Sequence, residues 1–371
     1  MRPFLIFTVL FAAMLRLPAQ AADVWIGTGG HQLSRGIYHC TLTDEGEVTT
    51  PTLVGEIRGP GFLARHPSKP ILYSIGSLNN QPCVAAWQIE ARGDGPTLKL
   101  LNSVPVGDGG AAHLAVDATG HTIVTAQYGR GSTAVFSLND DGSMKERTQL
   151  ITHTNASGVR PNQTSPHPHW AGFSPDNRFA FVPDLGKDEV VIYAVDAAAS
   201  RLTPHGAGTV PPGAGPRHMK FHPNGKWAYV LNENNCTVTV FDYDTEAGTM
   251  KPKQTKAAVP QELLAKEQTY SASEIRVHPN GRFVYSANRG HDTITVFRVD
   301  QESGRLSVIE REPIRGAQPR NFNVDRTGKW LLTAGQNSHT VASFRIDQDS
   351  GELMYNQSIE FAPNPICIEF D

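Results

Sequence analysis

Hydrophobic and polar positions alternate in short runs along most of the chain, as in Thr237-Val238-Thr239-Val240-Phe241 and Thr293-Ile294-Thr295-Val296-Phe297. A period of two buries one face of a β-strand, so these runs predict strands. Turn residues punctuate them in a recurring order. Phe221-His222-Pro223-Asn224-Gly225-Lys226-Trp227-Ala228-Tyr229-Val230 returns as Val277-His278-Pro279-Asn280-Gly281-Arg282-Phe283-Val284-Tyr285-Ser286. It returns again as Val324-Asp325-Arg326-Thr327-Gly328-Lys329-Trp330-Leu331-Leu332-Thr333, and weaker copies start at Phe173, Val116 and Arg65. With His66, Asp117, Ser174, His222, His278 and Asp325 as anchors, the steps are 51, 57, 48, 56 and 47 residues.

Each unit carries the same script. An apolar strand ends in a turn with Pro second and Gly fourth, positions that suit both residues. A second strand, a polar loop, an alternating third strand, an Asp/Gly turn and an outer strand follow. Four strands per roughly 50 residues is the blade of a β-propeller. Six anchors account for six blades. Val24-Trp25-Ile26-Gly27 and residues 35–42 read as later strands lacking a first, and residues 366–370 as a first strand with nothing after it. Joined, they form a seventh blade and remove the open edges of the ring. The expectation is an all-β, seven-bladed β-propeller, four antiparallel strands per blade, closed by the two chain ends. It forms a single domain over 23–371, where length alone suggests two or three domains.

The first 22 residues break this pattern. Arg2 precedes an almost wholly apolar run over 4–15, and Leu17-Pro18-Ala19-Gln20-Ala21 supplies a small-residue cleavage pattern. This reads as a secretory signal peptide over 1–22, too short to span a membrane comfortably, and predicts an exported (periplasmic or secreted) protein. An uncleaved anchor is the alternative. Four cysteines, Cys40, Cys83, Cys236 and Cys367, have no metal or redox spacing, and isolated buried thiols are favoured over disulfides. The 33 Lys+Arg and 36 Asp+Glu leave a net charge of −3, with no basic footprint for nucleic acid. No Trp is followed by Asp and Gly-Gly is rare, which argues against WD40 and kelch arrays.

Function therefore falls to residues lining the central channel. Segments entering the inner strands read Gly109 to His113, Ser165 to Trp170 (with His167 and His169), Gly213 to His218 (with Arg217), Ser271 to Glu274, and Ala317 to Asn321 (with Arg320). Second strands end in Gln127-Tyr128, Asp184-Leu185, Asn232-Glu233, Asn288-Arg289 and Gly335-Gln336. Glu233 and Arg289 hold the same place in successive blades. Glu, Arg and His converging on one channel suit a small anionic molecule. Plainer readings stand beside this one. His222 and His278 fit turn residues before Pro, and His167-Pro168-His169 is a weak metal signal. Arg320 and Asn321 could cap a strand, His218 could support Arg217, and Arg217–Glu233 could be a structural ion pair.

The stretches 213–243 and 316–347, above all Gly213-Ala214-Gly215-Pro216-Arg217-His218-Met219, Asn232-Glu233 and Pro319-Arg320-Asn321-Phe322-Asn323-Val324-Asp325, resemble the lactonase family of seven-bladed propellers. That family contains bacterial 6-phosphogluconolactonases and fungal carboxy-muconate cyclases. The resemblance covers nearly all of 24–371. It implies hydrolysis of a sugar δ-lactone, 6-phosphogluconolactone or a relative, at the central channel. It places catalytic roles on His169, Arg217, Glu233 and Arg289, with His167, His218, Arg320, Asn321 and Gln336 as substrate-binding residues. His169 and Glu233 remain alternatives for the general base. The implied partner is a small anionic lactone, with no cofactor, no metal, no nucleic acid and a monomeric protein. A muconate-type lactonizing cycloisomerase and a non-catalytic secreted binding propeller are the other readings.

Overall fold

The computed structural model describes residues 21–93 and 95–371. The expected signal segment lies outside the described residues up to position 20, and the first strand starts at Ala22. Within the described residues, twenty-eight strands form seven four-stranded antiparallel sheets. Blades one to six span residues 63–105, 113–152, 172–209, 216–257, 271–313 and 319–361, each running from inner to outer strand in chain order. In blade seven the C-terminal strand Pro365–Phe370 is innermost, followed outward by Ala22–Thr28, Gly36–Leu42 and Thr52–Glu56. The expected closure by both chain ends is therefore present, with Trp25 opposite Glu369 and Trp25 Nε1 donating to Asp371 Oδ1 at 2.8 Å.

Burial follows the strand order. The second strand of blade four, Trp227–Asn232, is buried at every position, whereas the outer strand Met144–Thr152 is mostly exposed. Central strands of a twisted sheet are covered on both faces by neighbouring blades, so their pattern loses its alternation. The four cysteines are free and buried.

The repeated turn is also a joint between blades. His222 Nδ1 accepts from Asn224 N, and His222 Nε2 donates to Gly281 O of the next blade at 2.8 Å. His278 repeats this with Asn280 N and Gly328 O, so both are turn residues as expected, each with a second role. A second joint lies farther out. Trp227 packs on Gly304 and Phe283 on Gly351, while Tyr229 and Tyr285 donate to the carbonyls of those same glycines. Blade two shows the rule by departing from it. Thr122 stands where Trp227 stands, and its partner is Ser200, held at φ +47° and hydrogen-bonded through the hydroxyls at 2.9 Å.

Candidate active site

Backbone irregularity builds the site. In blade four Pro216 pairs with Asn232 and His218 with Leu231, leaving Arg217 unpaired; in blade six Arg320 is left over in the same way between Pro319 and Asn321. Blade five has a bulge between Ala272 and Ile275. A bulge inserts one residue and re-aims the side chains around it. Adjacent residues, Arg217 with His218 and Arg320 with Asn321, consequently both turn inward, which a regular strand forbids.

Glu233, just past the second strand of blade four, anchors the cluster. Its Oε2 lies 2.7 Å from Arg217 Nε and its Oε1 3.0 Å from Arg289 Nη2. Burial pushes the Glu233 carboxyl up, but Arg289, Arg217 and Arg320 together outweigh it and hold the group below its ordinary value. Arg217 is 1% exposed and donates through Nη1 to Ser273 O and to His218 Nε2. Arg289 Nη2 also donates to Ala272 O at 2.9 Å. Arg320 differs: Glu233 and Tyr128 act on its guanidinium through charge alone, and burial, then Arg289, pushes its pKa down to about 10. Three guanidinium groups around one carboxylate leave two positive charges uncompensated.

His169 sits beside this charge. Burial first, then Arg217 and His218, hold its pKa well below 6.5, so the imidazole is neutral. Its Nδ1 is buried without a partner. Tyr128 meets His169 edge-on at 5.5 Å and stacks on His167 at 4.5 Å. His167 Nδ1 donates to Tyr128 O at 2.8 Å, tying blade three to blade two at the rim. Gln336 lies at the rim near Gly29 and Asn364, on the blade six–seven side. A pocket lined by Arg160, Asn162, Asn234 and Tyr270 opens beside Glu233.

Two of the residues expected to touch substrate are otherwise engaged. His218 is fully buried; Arg217 can only donate, so His218 Nε2 accepts and Nδ1–H points to Glu274 Oε1 at 3.1 Å. Asn321, expected to bind substrate, fastens blades six, five and seven together in this structure. It is fully buried, its Nδ2 donates to Glu274 Oε2 and its Oδ1 accepts from Ile368 N at 2.9 Å. Glu274 is the residue whose importance was missed. Fully buried, it also accepts from Ile275 N and lies 3.4 Å from Arg276, joining blades four, five and six beneath the arginines. The sequence places Ser271 to Glu274 at the channel, but a contact 56 residues away in the chain has no local signature. Among the described residues no group of three potential ligands could hold a metal ion.

Comparison with known proteins points one way. A family model described as "Lactonase, 7-bladed beta-propeller" matches residues 23–370. A 6-phosphogluconolactonase of Bacillus subtilis (strain 168) is 35% identical over 347 residues, covering 93% of this chain and 97% of its own. A 6-phosphogluconolactonase of Formosa agariphila is 33% identical, covering 76% of this chain and 80% of its own. Among solved structures, a periplasmic gluconolactonase of Pseudomonas aeruginosa superposes with a TM-score of 0.87 at 28% identity, over 95% of this chain and 99% of that one. Fold, residue clusters and full-length similarity agree: the chain belongs to the lactonase family of seven-bladed β-propellers.

Proposed function

We propose that the protein hydrolyses a sugar δ-lactone of the gluconolactone class at the mouth of the channel, and that it does so as an exported protein. The observation that carries this reading is a neutral His169 beside an unpaired Arg320, with Glu233 fixed between two arginines. Both Glu233 oxygens lie in ion pairs and the arginines hold the carboxyl below its ordinary value, which suits a fixed negative charge that orients Arg217 and Arg289. His169 is then the general base. It takes a proton from water as the oxygen attacks the lactone carbonyl. Arg320 and the outward edges of the other guanidiniums face the oxyanion that forms, a stabilisation commonly worth about 3–4 kcal/mol per donor. Collapse of the tetrahedral intermediate breaks the ring C–O bond, and the ring oxygen leaves as a hydroxyl by taking the proton back from His169. A bound anionic group would offset the arginine charge that depresses His169 and raise its basicity. The signal-like segment over 1–22 and the likeness to a periplasmic gluconolactonase support export.

A pH-stat assay with gluconolactone and 6-phosphogluconolactone tests the proposal. His169→Asn is expected to lower kcat by about 100-fold or more, in the range for general bases. Arg320→Leu is expected to cost about 100- to 1,000-fold, the loss typical of removing one oxyanion donor. Because His169 titrates below 6.5 in the free protein, kcat/KM should stay level as pH falls through 6.5 and drop only further into acid. Folded variants that hydrolyse every lactone at the parental rate would sink the proposal.

A further inference from the structure

We propose that the opposite end of the channel is a second ligand site, for a small hydroxycarboxylate. It is independent of the lactone chemistry at the mouth. A layer of rings separates the two ends: Phe62 and His113 at 4.3 Å, His113 and Trp170 at 5.4 Å, His113 and His218 at 5.5 Å. Beneath it lies a cavity of about 390 Å³.

Its wall is divided by the inner strands. Ala64, Ala115 and Gly172 pair with Tyr73, Val124 and Phe181; in the other blades Lys220, Arg276, Asn323 and Glu369 pair with Tyr229, Tyr285, Leu332 and Trp25. These are equivalent positions one layer below the rings. Ala64 and Ala115 leave the volume, the Trp170 ring fills the space that a side chain on Gly172 would take, and Lys220, Arg276 and Glu369 contribute charge, with Arg65 of blade one beside them. The volume exceeds what one or two waters need and accommodates a six-carbon acid.

The charges there lack partners among the described residues. The Lys220 ammonium lies 4.9 Å from the Trp170 ring and makes no hydrogen bond or ion pair, and neither does the Glu369 carboxyl. Arg276 reaches Glu274 only at 3.4 Å and its Nε is without a partner. Arg65 spends its Nε on Asp371 at 3.0 Å, and its Nη1 is without a partner. Burial pushes Lys220 down to about 8 and Glu369 up, so both charges stand to gain from a molecule that pairs them. A carboxylate fits between Lys220 and Arg276, a hydroxyl donates to Glu369, and the Trp170 face covers the carbon chain.

The test is titration calorimetry on the full chain with gluconate, with glucose as the neutral control. Saturable binding of gluconate alone is expected. It should persist in Glu233→Gln and weaken about tenfold or more in Lys220→Met and in Ala115→Leu, the loss expected for one charge-assisted contact or a filled cavity. Ala115→Leu should leave lactone hydrolysis within about twofold, because the ring layer shields the mouth. On the unmutated protein, gluconate should protect Lys220 from amine acetylation mapped by mass spectrometry. The proposal is overturned if gluconate gives no saturable heat, if the heat survives both far-end variants, or if Lys220 acetylates equally with and without gluconate.

Discussion

Three histidines in the channel illustrate how much a residue's surroundings decide its state. His113, His169 and His218 are all held well below 6.5, with burial as the leading cause in each. Above pH 6.5 both folded and unfolded chains keep them neutral, so they contribute no pH dependence. Below it the unfolded chain takes up protons that the fold excludes, and stability falls. The slope reaches about 1.4 kcal/mol per pH unit for each histidine. Chemical denaturation at pH 7.5 and 5.5 should therefore show a pronounced loss at the lower value. A flat profile would mean that these rings are solvated or already charged. Which residues reach the channel was legible because Arg217, Glu233 and Arg289 recur at fixed places in the blade. Which of them are free was not. Arg320 and Asn321 are neighbours of similar polarity, yet one is unpartnered and the other fully bonded, and only a bulge and a partner some 47 residues away separate them.

Between neighbouring blades, the joint between an aromatic ring and a glycine was half visible. The turns at Ser303-Gly304 and Ser350-Gly351 stood out in the sequence, as did the aromatic positions, but nothing local says that Trp227 meets Gly304 some 75 residues on. That glycine has φ +72°, and a Cβ there would run into the Trp227 ring. Gly304→Ala combines left-handed strain with overpacking, and each costs about 1–3 kcal/mol. A fall in Tm of several degrees is expected, with activity at low temperature retained. Thr122 and Ser200 form the polar version of this joint, so Thr122→Val, which removes the hydroxyl bonds to Ser200 and Ala197 O and leaves Ser200 its bond to His121 O, should cost about 1 kcal/mol. If either variant melts with the parent, the joint contributes nothing.

At the scale of the whole molecule, ring closure was the most legible feature, since the ends of the chain carried strand patterns with no partners of their own. What could not be read was how the ring is held. No disulfide assists it; instead Asn321 and Asn323 of blade six bond the backbone of Ile368 in the inner strand of blade seven. Removing 365–371 should open an edge along Ala22–Thr28 and give an aggregating, non-cooperative protein by scattering and thermal melting. A permutant that joins the ends and opens the exposed loop at 91–93 should instead melt as one unit. Equal behaviour of the two would show that closure is dispensable.

That last strand also sets the timing of folding. Residues 365–370 follow the other six blades in the chain, yet they form the inner wall on which Ala22–Thr28 is laid, and Trp25 meets Asp371 across 346 positions. Six blades can pair locally as they emerge, but Ala22–Thr28 must wait for Pro365–Phe370. The chain therefore carries an unmatched edge until that strand is made, and the slowest step is expected to be the docking of these two distant strands.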